Sequence, residues 1–325
     1  MTVPGHSFCK RLLVSIFLCV AAGGVAAQPF SFVALGDLPY GQAAQGHAPY
    51  KSLIAAINRE RPGFSIHIGD FKSGSTLCSD EESRIQLGFF ALFDSALVYT
   101  PGDNEWTDCH RANNGGHDPL ERLQALRATF YKPGLSLGKQ PLPVLNQSVS
   151  MPAFAKFVEN QRWVHQGVVF ATLHIVGSNN NFEVRDPRAV AEFFEREKAN
   201  IAWIREAFAS AAQSQAKAIV LAMQADVFEA KSLWEDFPAH SGYRASIGET
   251  LLPLAAQSKI PVLLIHGDSH VFRFDQPFML NKKPLPQLTR LEVPGAGDVR
   301  AVHVTVDTRQ RNPFAVRLLE PAATP

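Results

Sequence analysis

The sequence has few cysteines and almost no net charge. Of its 325 residues only four are cysteine, and no pair has the Cys-x-x-Cys spacing of a structural zinc site. The 31 basic residues nearly balance the 30 acidic ones, which gives a net charge of +1 at pH 7. A chain of this charge has no global attraction to nucleic acid or to an anionic membrane. A dinucleotide-binding Gly-x-Gly-x-x-Gly motif is also missing after the first strand-like segment.

Long apolar runs are missing too, except at the N-terminus. There, Lys10-Arg11 precedes an apolar segment at 12–25, which is too short to span a bilayer comfortably. The small residues Val25-Ala26-Ala27 follow, as at a signal-peptidase site. We therefore predict a signal peptide at 1–27, with an uncleaved anchor as the alternative. The protein would be periplasmic or secreted, with no membrane attachment after cleavage.

Two cysteines, Cys78 and Cys109, remain after the signal peptide is removed. An even pair in an exported chain predicts a disulfide, because such compartments are oxidising. Two free thiols are the alternative. Both cysteines lie in loops that follow acidic turns, so a disulfide would tie these loops together.

Strand-like and helix-like segments alternate over much of the chain. Helix starts are predicted at Ser79, which opens a capping box, and at Asp118 and Asp186, each followed by proline. After about residue 270 the chain changes to successive β segments. This organisation predicts one α/β domain over residues 28–325.

Four acidic turns follow four apolar, strand-like segments. They are Gly36-Asp37, Gly69-Asp70, Gly102-Asp103-Asn104-Glu105 and Gly267-Asp268-Ser269-His270. Ligands of α/β proteins bind at the carboxyl ends of strands, so we expect these turns at one edge of the sheet. Carboxylates converge at low cost only around a cation, because like charges repel. The four turns therefore predict a metal site.

In order and spacing, these turns resemble the motifs of the calcineurin-like metallophosphoesterases. Those motifs are Asp-x-His, Gly-Asp, Gly-Asn-His-(Asp/Glu), a lone His and Gly-His-x-His, and Gln224 stands nearest to the lone His. The resemblance covers most of the chain after residue 27. It implies a four-layer αββα sandwich of two mixed β-sheets flanked by helices. It also implies two divalent metal ions and hydrolysis of phosphate mono- or diesters by a metal-bound hydroxide.

The resemblance implies a set of metal ligands in which Asp70 bridges both ions. The set is Asp37, Asp70, Asp103, Asn104, Gln224, Asp268 and His270. An ungapped match puts Asp103 at the family's Asn ligand, whereas a shift of one residue would put Asn104 there. Pro39 replaces the first motif's histidine. An oxygen-rich set with one imidazole suits Mn, Mg, Fe or Zn.

The resemblance also bears on catalysis and on the substrate, a small phosphate ester. Asn104 replaces the histidine that assists the leaving group, and it can donate a hydrogen bond but cannot usefully transfer a proton. His110 or a metal-bound water is then the candidate acid. Lys72, Arg111 and Arg273 are the candidate phosphate-binding cations in these loops. Because four histidine positions differ, a catalytically inactive binding protein of the same fold is the alternative function.

Overall fold

The computed structural model describes residues 1–2, 28–41, 43–228 and 241–322. Most of the predicted signal peptide thus lies outside the described residues. Within them, no helix combines the length and the apolar character needed to cross a membrane.

The strands of the described residues are β1 (Phe30–Leu35), β2 (Phe64–His67), β3 (Ala96–Tyr99), β4 (Leu137–Gly138), β5 (Leu145–Asn146), β6 (Gln161–His165), β7 (Val168–Thr172), β8 (Ala218–Ala222), β9 (Val262–His266), β10 (Arg273–Asp275), β11 (Met279–Leu280), β12 (Lys283–Pro284), β13 (Leu288–Glu292), β14 (Ala301–Val306) and β15 (Phe314–Leu319). The helices and helical turns are α1 (Ala43–Glu60), α2 (Asp80–Phe90), α3 (Pro119–Phe130), α4 (Gln147–Ser150), α5 (Gly177–Asn180), α6 (Pro187–Gln213) and α7 (Leu252–Gln257). A π-helix spans Arg244–Leu251, and short 3-10 turns span Thr107–His110, Ala112–Asn114, Pro152–Phe154 and Ser241–Tyr243.

Two mixed sheets form the centre of the fold. The first has the strand order β15-β14-β1-β2-β3-β4, in which β1, β2 and β3 run parallel. The second has the order β10-β13-β9-β8-β7-β6-β5, in which β13, β9, β8 and β7 run parallel. The pairs at the ends of both sheets are antiparallel. The predicted pair of mixed sheets is confirmed.

The sheets pack face to face through an aromatic core. Phe32 of β1 stacks on Phe64 of β2 at 5.4 Å, and both meet Phe170 of β7 edge-on, at 5.4 and 5.0 Å. Burial of each such ring contributes about 1.5–3 kcal/mol. Helices α1, α2 and α3 cover the outer face of the first sheet, and α6 and α7 cover that of the second. The layers are therefore helix, sheet, sheet, helix, as predicted.

The predicted helix starts are confirmed by their capping hydrogen bonds. The side chains of Ser79, Asp118 and Asp186 accept from backbone N–H groups of the first turn at 3.1, 2.9 and 2.8 Å. Each bond satisfies a donor that the helix itself cannot pair, which contributes about 1 kcal/mol. These caps fix where α2, α3 and α6 begin, and hence where the preceding loops end.

The carboxyl ends of the parallel strands lie at one edge of each sheet. Asp37 follows β1 and Asp70 follows β2, and the Asp37 N–H donates to the Gly69 carbonyl at 2.9 Å. In the second sheet, the Gly267 N–H donates to the Gln224 carbonyl at 3.0 Å. Backbone hydrogen bonds therefore hold the Asp37 turn against the Asp70 turn, and the Asp268 turn against Gln224.

Candidate metal centre

Three carboxylates from different turns meet at this edge. One oxygen from each of Asp70, Asp103 and Asp268 lies within 4.8 Å of the others. Asp70 and Asp103 are buried, and Asp268 is half-buried. Oxygen atoms at such separations can share one hard cation.

Asp37 and His270 adjoin this cluster. Asp37 Oδ1 lies 3.5 Å from His270 Nε2, and the Asp268 N–H approaches both Asp37 oxygens, at 3.3 and 3.4 Å. Asp37 is fully buried, whereas one third of the His270 side chain is exposed. The imidazole therefore lies at the open side of the cluster.

The backbone at these residues has a conformation that L-amino acids rarely adopt. The φ angle is 53° at both Asp37 and Asp70, 76° at Asp268 and 62° at His270. Such residues cost of order 1–3 kcal/mol each and persist where the surrounding structure enforces them, most often at functional sites. The left-handed turns direct the side chains toward one another.

Glycines make room for the carboxylates. A Cβ atom at Gly102 would lie 2.0 Å from Asp70 Oδ1. At Gly177 it would lie 2.7 Å from Asp103 Oδ2 and 2.9 Å from Asp268 Oδ1. Real Cβ atoms do not approach so closely, so any larger residue here would displace the cluster.

Gln224 presents its amide nitrogen to the cluster. Its Oε1 accepts from the Gly177 N–H at 2.6 Å, which fixes the orientation of the amide because a backbone N–H can only donate. Its Nε2 then lies 3.3, 3.1 and 3.0 Å from oxygens of Asp70, Asp103 and Asp268. In this orientation Gln224 is a hydrogen-bond donor, and the oxygen predicted to bind metal faces the backbone.

Asn104 and Tyr40 bind Asp70 from the other side. Asn104 Nδ2 donates to Asp70 Oδ2 and to Tyr40 Oη, both at 2.7 Å, and Tyr40 Oη donates to Asp70 Oδ2 at 2.9 Å. Of the two candidate ligands in the third motif, Asp103 lies in the carboxylate cluster, and Asn104 turns its amide nitrogen to Asp70. Burial and the Asp70 charge raise the pKa of Tyr40, so its hydroxyl keeps its proton. Sequence reasoning missed Tyr40.

The electrostatics of the cluster favour a bound cation. Burial raises the pKa of Asp37, and it raises that of Asp70 further together with the charges of Asp103 and Glu105. Burial lowers the pKa of His270, but its contact with Asp37 outweighs this effect and the net shift is upward. A cation would stabilise the charged carboxylates and offset the cost of burying them. The oxygen-rich donor set and the space kept by glycines fit a hard divalent ion.

The predicted phosphate-binding cations face other partners. Lys72 is buried, and its Nζ donates to the carbonyl of Asn104 at 2.6 Å. Arg273 of β10 pairs with Glu292 on the adjacent strand β13. Only Arg111, whose Nη1 lies 2.7 Å from Asp108 Oδ2, borders a cavity next to the cluster.

This cavity has a volume of about 710 Å³ and is also lined by His110, the candidate acid. Ser178 separates it from the cluster. The Ser178 Oγ lies 2.7 Å from Asp103 Oδ2 and 2.9 Å from Asp108 Oδ1. The Ser178 hydroxyl has one proton, which it can donate to only one of these carboxylates. Burial and Asp103 raise the pKa of Asp108 to about 6, so Asp108 can carry the second proton near that pH.

Ser178 belongs to the left-handed turn α5. Its φ is 50°, and positive angles continue through the next residues to 58° at Asn181. Asparagine tolerates this conformation better than most residues. The Asn-rich segment after Ser178 was the sequence signal for this turn, but it did not reveal that the serine reaches Asp103.

The predicted disulfide is present. It joins Cys78 to Cys109, with Cα atoms 5.7 Å apart, and both residues are buried. It connects the loop after Asp70 to the 3-10 turn after Asp103. The two turns that contribute these carboxylates are therefore cross-linked.

A serine-hydrolase site is not supported by the one matching motif. Gly134-Leu135-Ser136-Leu137-Gly138 has the Gly-x-Ser-x-Gly spacing of a nucleophile elbow. Ser136, however, precedes the edge strand β4, and its Oγ donates to the Leu137 carbonyl at 3.0 Å and accepts from the Leu142 N–H at 3.0 Å. An elbow requires a turn from strand to helix, which is not found here.

Solved structures share this architecture. A dimetal phosphatase from Danio rerio superposes with a TM-score of 0.54 at 10% sequence identity, over 90% of this chain and 99% of that one. PhoD superposes with a TM-score of 0.52 at 12% identity, over 90% of this chain and 70% of that one. The chain has the fold of these two proteins. No protein-family model matches the sequence, and no curated protein matches it significantly.

Proposed function

We propose that this protein is an exported, metal-dependent phosphoesterase. The observation that carries the proposal is the meeting of Asp70, Asp103 and Asp268 oxygens within 4.8 Å, at the strand ends of a fold shared with a dimetal phosphatase. The disulfide agrees with export, because disulfides persist in oxidising compartments.

In this proposal two divalent cations would be held next to each other, both by Asp70. Asp37 and His270 would complete the site of one, and Asp103 and Asp268 that of the other. Divalent ions bound there would act as Lewis acids that neutralise charge on the phosphate ester. The acidic cluster by itself would repel such a substrate.

The chain's own groups would orient the ester. The cavity beside Ser178 is large enough for the alcohol portion of a small ester, and Arg111 on its wall can donate hydrogen bonds to phosphate oxygens. His110 lines the same cavity, and its Nδ1 is 2.7 Å from the Thr107 carbonyl. That contact leaves Nε2 as the ring atom available for proton transfer.

A catalytically inactive binding protein of the same fold is the second candidate. The orientation of Gln224 favours it, since an amide nitrogen faces the three carboxylates that would hold a cation. Such a protein would bind a ligand at the same strand ends without hydrolysing it.

The deciding experiment compares wild type with Asp70→Asn. Asparagine also tolerates a positive φ, so the backbone of this turn should be kept. We expect metal content to fall and hydrolysis of aryl phosphate mono- and diesters with Mn²⁺ or Mg²⁺ to be lost. Asp94→Asn is the matched control, because the Asp94 side chain is exposed and pairs with the equally exposed Lys139.

Unchanged metal content in Asp70→Asn would contradict the proposed centre. Bound metal in wild type without turnover of any ester would favour the inactive binding protein.

A further inference from the structure

Tyr40 lies at the edge of the carboxylate cluster, in hydrogen-bond contact with Asp70. It is half-buried, and its ring packs edge-on against the partly exposed His270 ring, with centroids 5.1 Å apart. Its hydroxyl lies between Asp70 and Asn104, and Asn104 donates to it. One lone pair of the hydroxyl oxygen therefore accepts from Asn104. Its proton can rotate away from Asp70 and be donated to a bound ligand.

This position is also linked to the cavity proposed for the alcohol portion. A Cβ atom at Gly74 would lie 3.0 Å from Asn104 Oδ1 and 3.7 Å from Arg111 Nη1, so both side chains border the space beside Gly74. Arg111 lines the cavity, and Asn104 holds Tyr40. Tyr40 is thus connected to the cavity wall through one side chain.

We propose that Tyr40 is a catalytic residue whose hydroxyl donates a hydrogen bond to the leaving ester oxygen. The inference rests on the proposed phosphoesterase function and deepens it. A fixed neutral donor contributes most where negative charge develops during the reaction, which is the alcohol oxygen as its bond to phosphorus breaks. The Asn104 hydrogen bond to Oη polarises the hydroxyl and makes it a stronger donor.

Tyr40 undergoes no chemical change in this reaction. The oxygen of a water molecule forms the new bond to phosphorus and releases one proton to solvent. The bond from phosphorus to the alcohol oxygen breaks, and both its electrons go to that oxygen. The alcohol oxygen takes a proton from His110, the candidate acid, which regains one from solvent, while Tyr40 keeps its own proton and only hydrogen-bonds.

The test is Tyr40→Phe with phosphate esters whose alcohols span a wide range of pKa. For alkyl esters, which are poor leaving groups, we expect kcat/KM to fall about 10- to 100-fold. For dinitrophenyl esters, whose leaving oxygen needs little help, the loss should stay within about threefold, because little charge remains to be stabilised. The assays use saturating Mn²⁺, because Tyr40 also donates to Asp70 and its loss should weaken metal binding.

The control is Tyr131→Phe, which removes a buried hydroxyl that donates to the Tyr99 carbonyl, away from the cluster. It should change kcat/KM equally for all esters. A uniform loss in Tyr40→Phe at saturating metal would overturn the catalytic role and leave a structural one. Inactive wild type would instead refute the proposed function itself, and the inference with it.

Discussion

Gly177→Ala should disturb the metal centre by steric displacement alone. The added Cβ would lie 2.7 Å from Asp103 Oδ2 and 2.9 Å from Asp268 Oδ1, whereas ordinary contact begins at 3.4 Å. The two carboxylates must therefore move apart by about half an ångström, more than the ~0.2 Å that metal–oxygen distances tolerate. The backbone at Gly177 is not left-handed, so alanine adds no φ strain there.

We expect two results from this change. The affinity for Mn²⁺, measured by titration calorimetry, should fall about 10- to 100-fold, as it does when groups supporting metal ligands are altered. The free energy of unfolding without metal, measured with urea, should fall by about 1–3 kcal/mol because the site is overpacked.

Gly88→Ala is the matched control. Gly88 lies inside α2, and a Cβ there would meet nothing within 4 Å. Alanine should stabilise the helix by about 0.5–1 kcal/mol and leave metal affinity unchanged. The reasoning is refuted if Gly177→Ala binds metal as wild type does, or if both alanine variants behave alike.

Three further predictions concern the disulfide, pH and a buried ion pair. Replacing Cys78 and Cys109 together by serine should lower the free energy of unfolding by about 2–4 kcal/mol, as judged by urea denaturation. Burial raises the pKa of Asp108 to about 6. Ionising Asp108 therefore opposes folding, and stability should fall as pH rises from about 4 to 6. In Asp108→Asn the free energy of unfolding should fall by about 2–3 kcal/mol less over the same pH range. Equal slopes of unfolding free energy against pH in wild type and Asp108→Asn would contradict the raised pKa. Glu159→Gln should cost about 3–5 kcal/mol in thermal or urea unfolding, because it leaves the charge of Arg127 without its buried partner.

The layers of the fold follow from local signals in the sequence. Apolar runs ending in Gly-Asp predicted β1, β2 and β9, and the capping residues predicted the helix starts. These signals are local, because a strand or a cap is decided within a few residues. The meeting of Asp70, Asp103 and Asp268 was expected for a related reason, since parallel strands end at the same edge of a sheet.

The directions of individual side chains could not be predicted in this way. Lys72 follows Asp70 by two residues, but the chain turns after β2, and its ammonium caps a backbone carbonyl instead of facing a ligand. The amide of Gln224 is oriented by the N–H of Gly177, a residue distant in sequence. Tyr40 reaches Asp70 only because its own turn folds back onto a second one. Such contacts depend on tertiary structure and leave no periodic signal.

The order of the first sheet has a consequence for biosynthesis. β1 pairs with β14, so Phe30 lies opposite Val306, 276 residues later in the chain. A ribosome adding 5–20 residues per second needs about 14–55 s to make that stretch. During this time the edge of β1 that pairs with β14 lacks its partner strand. Molecular chaperones are expected to protect it, and translation that stops before Ala301 would leave this edge available for aggregation.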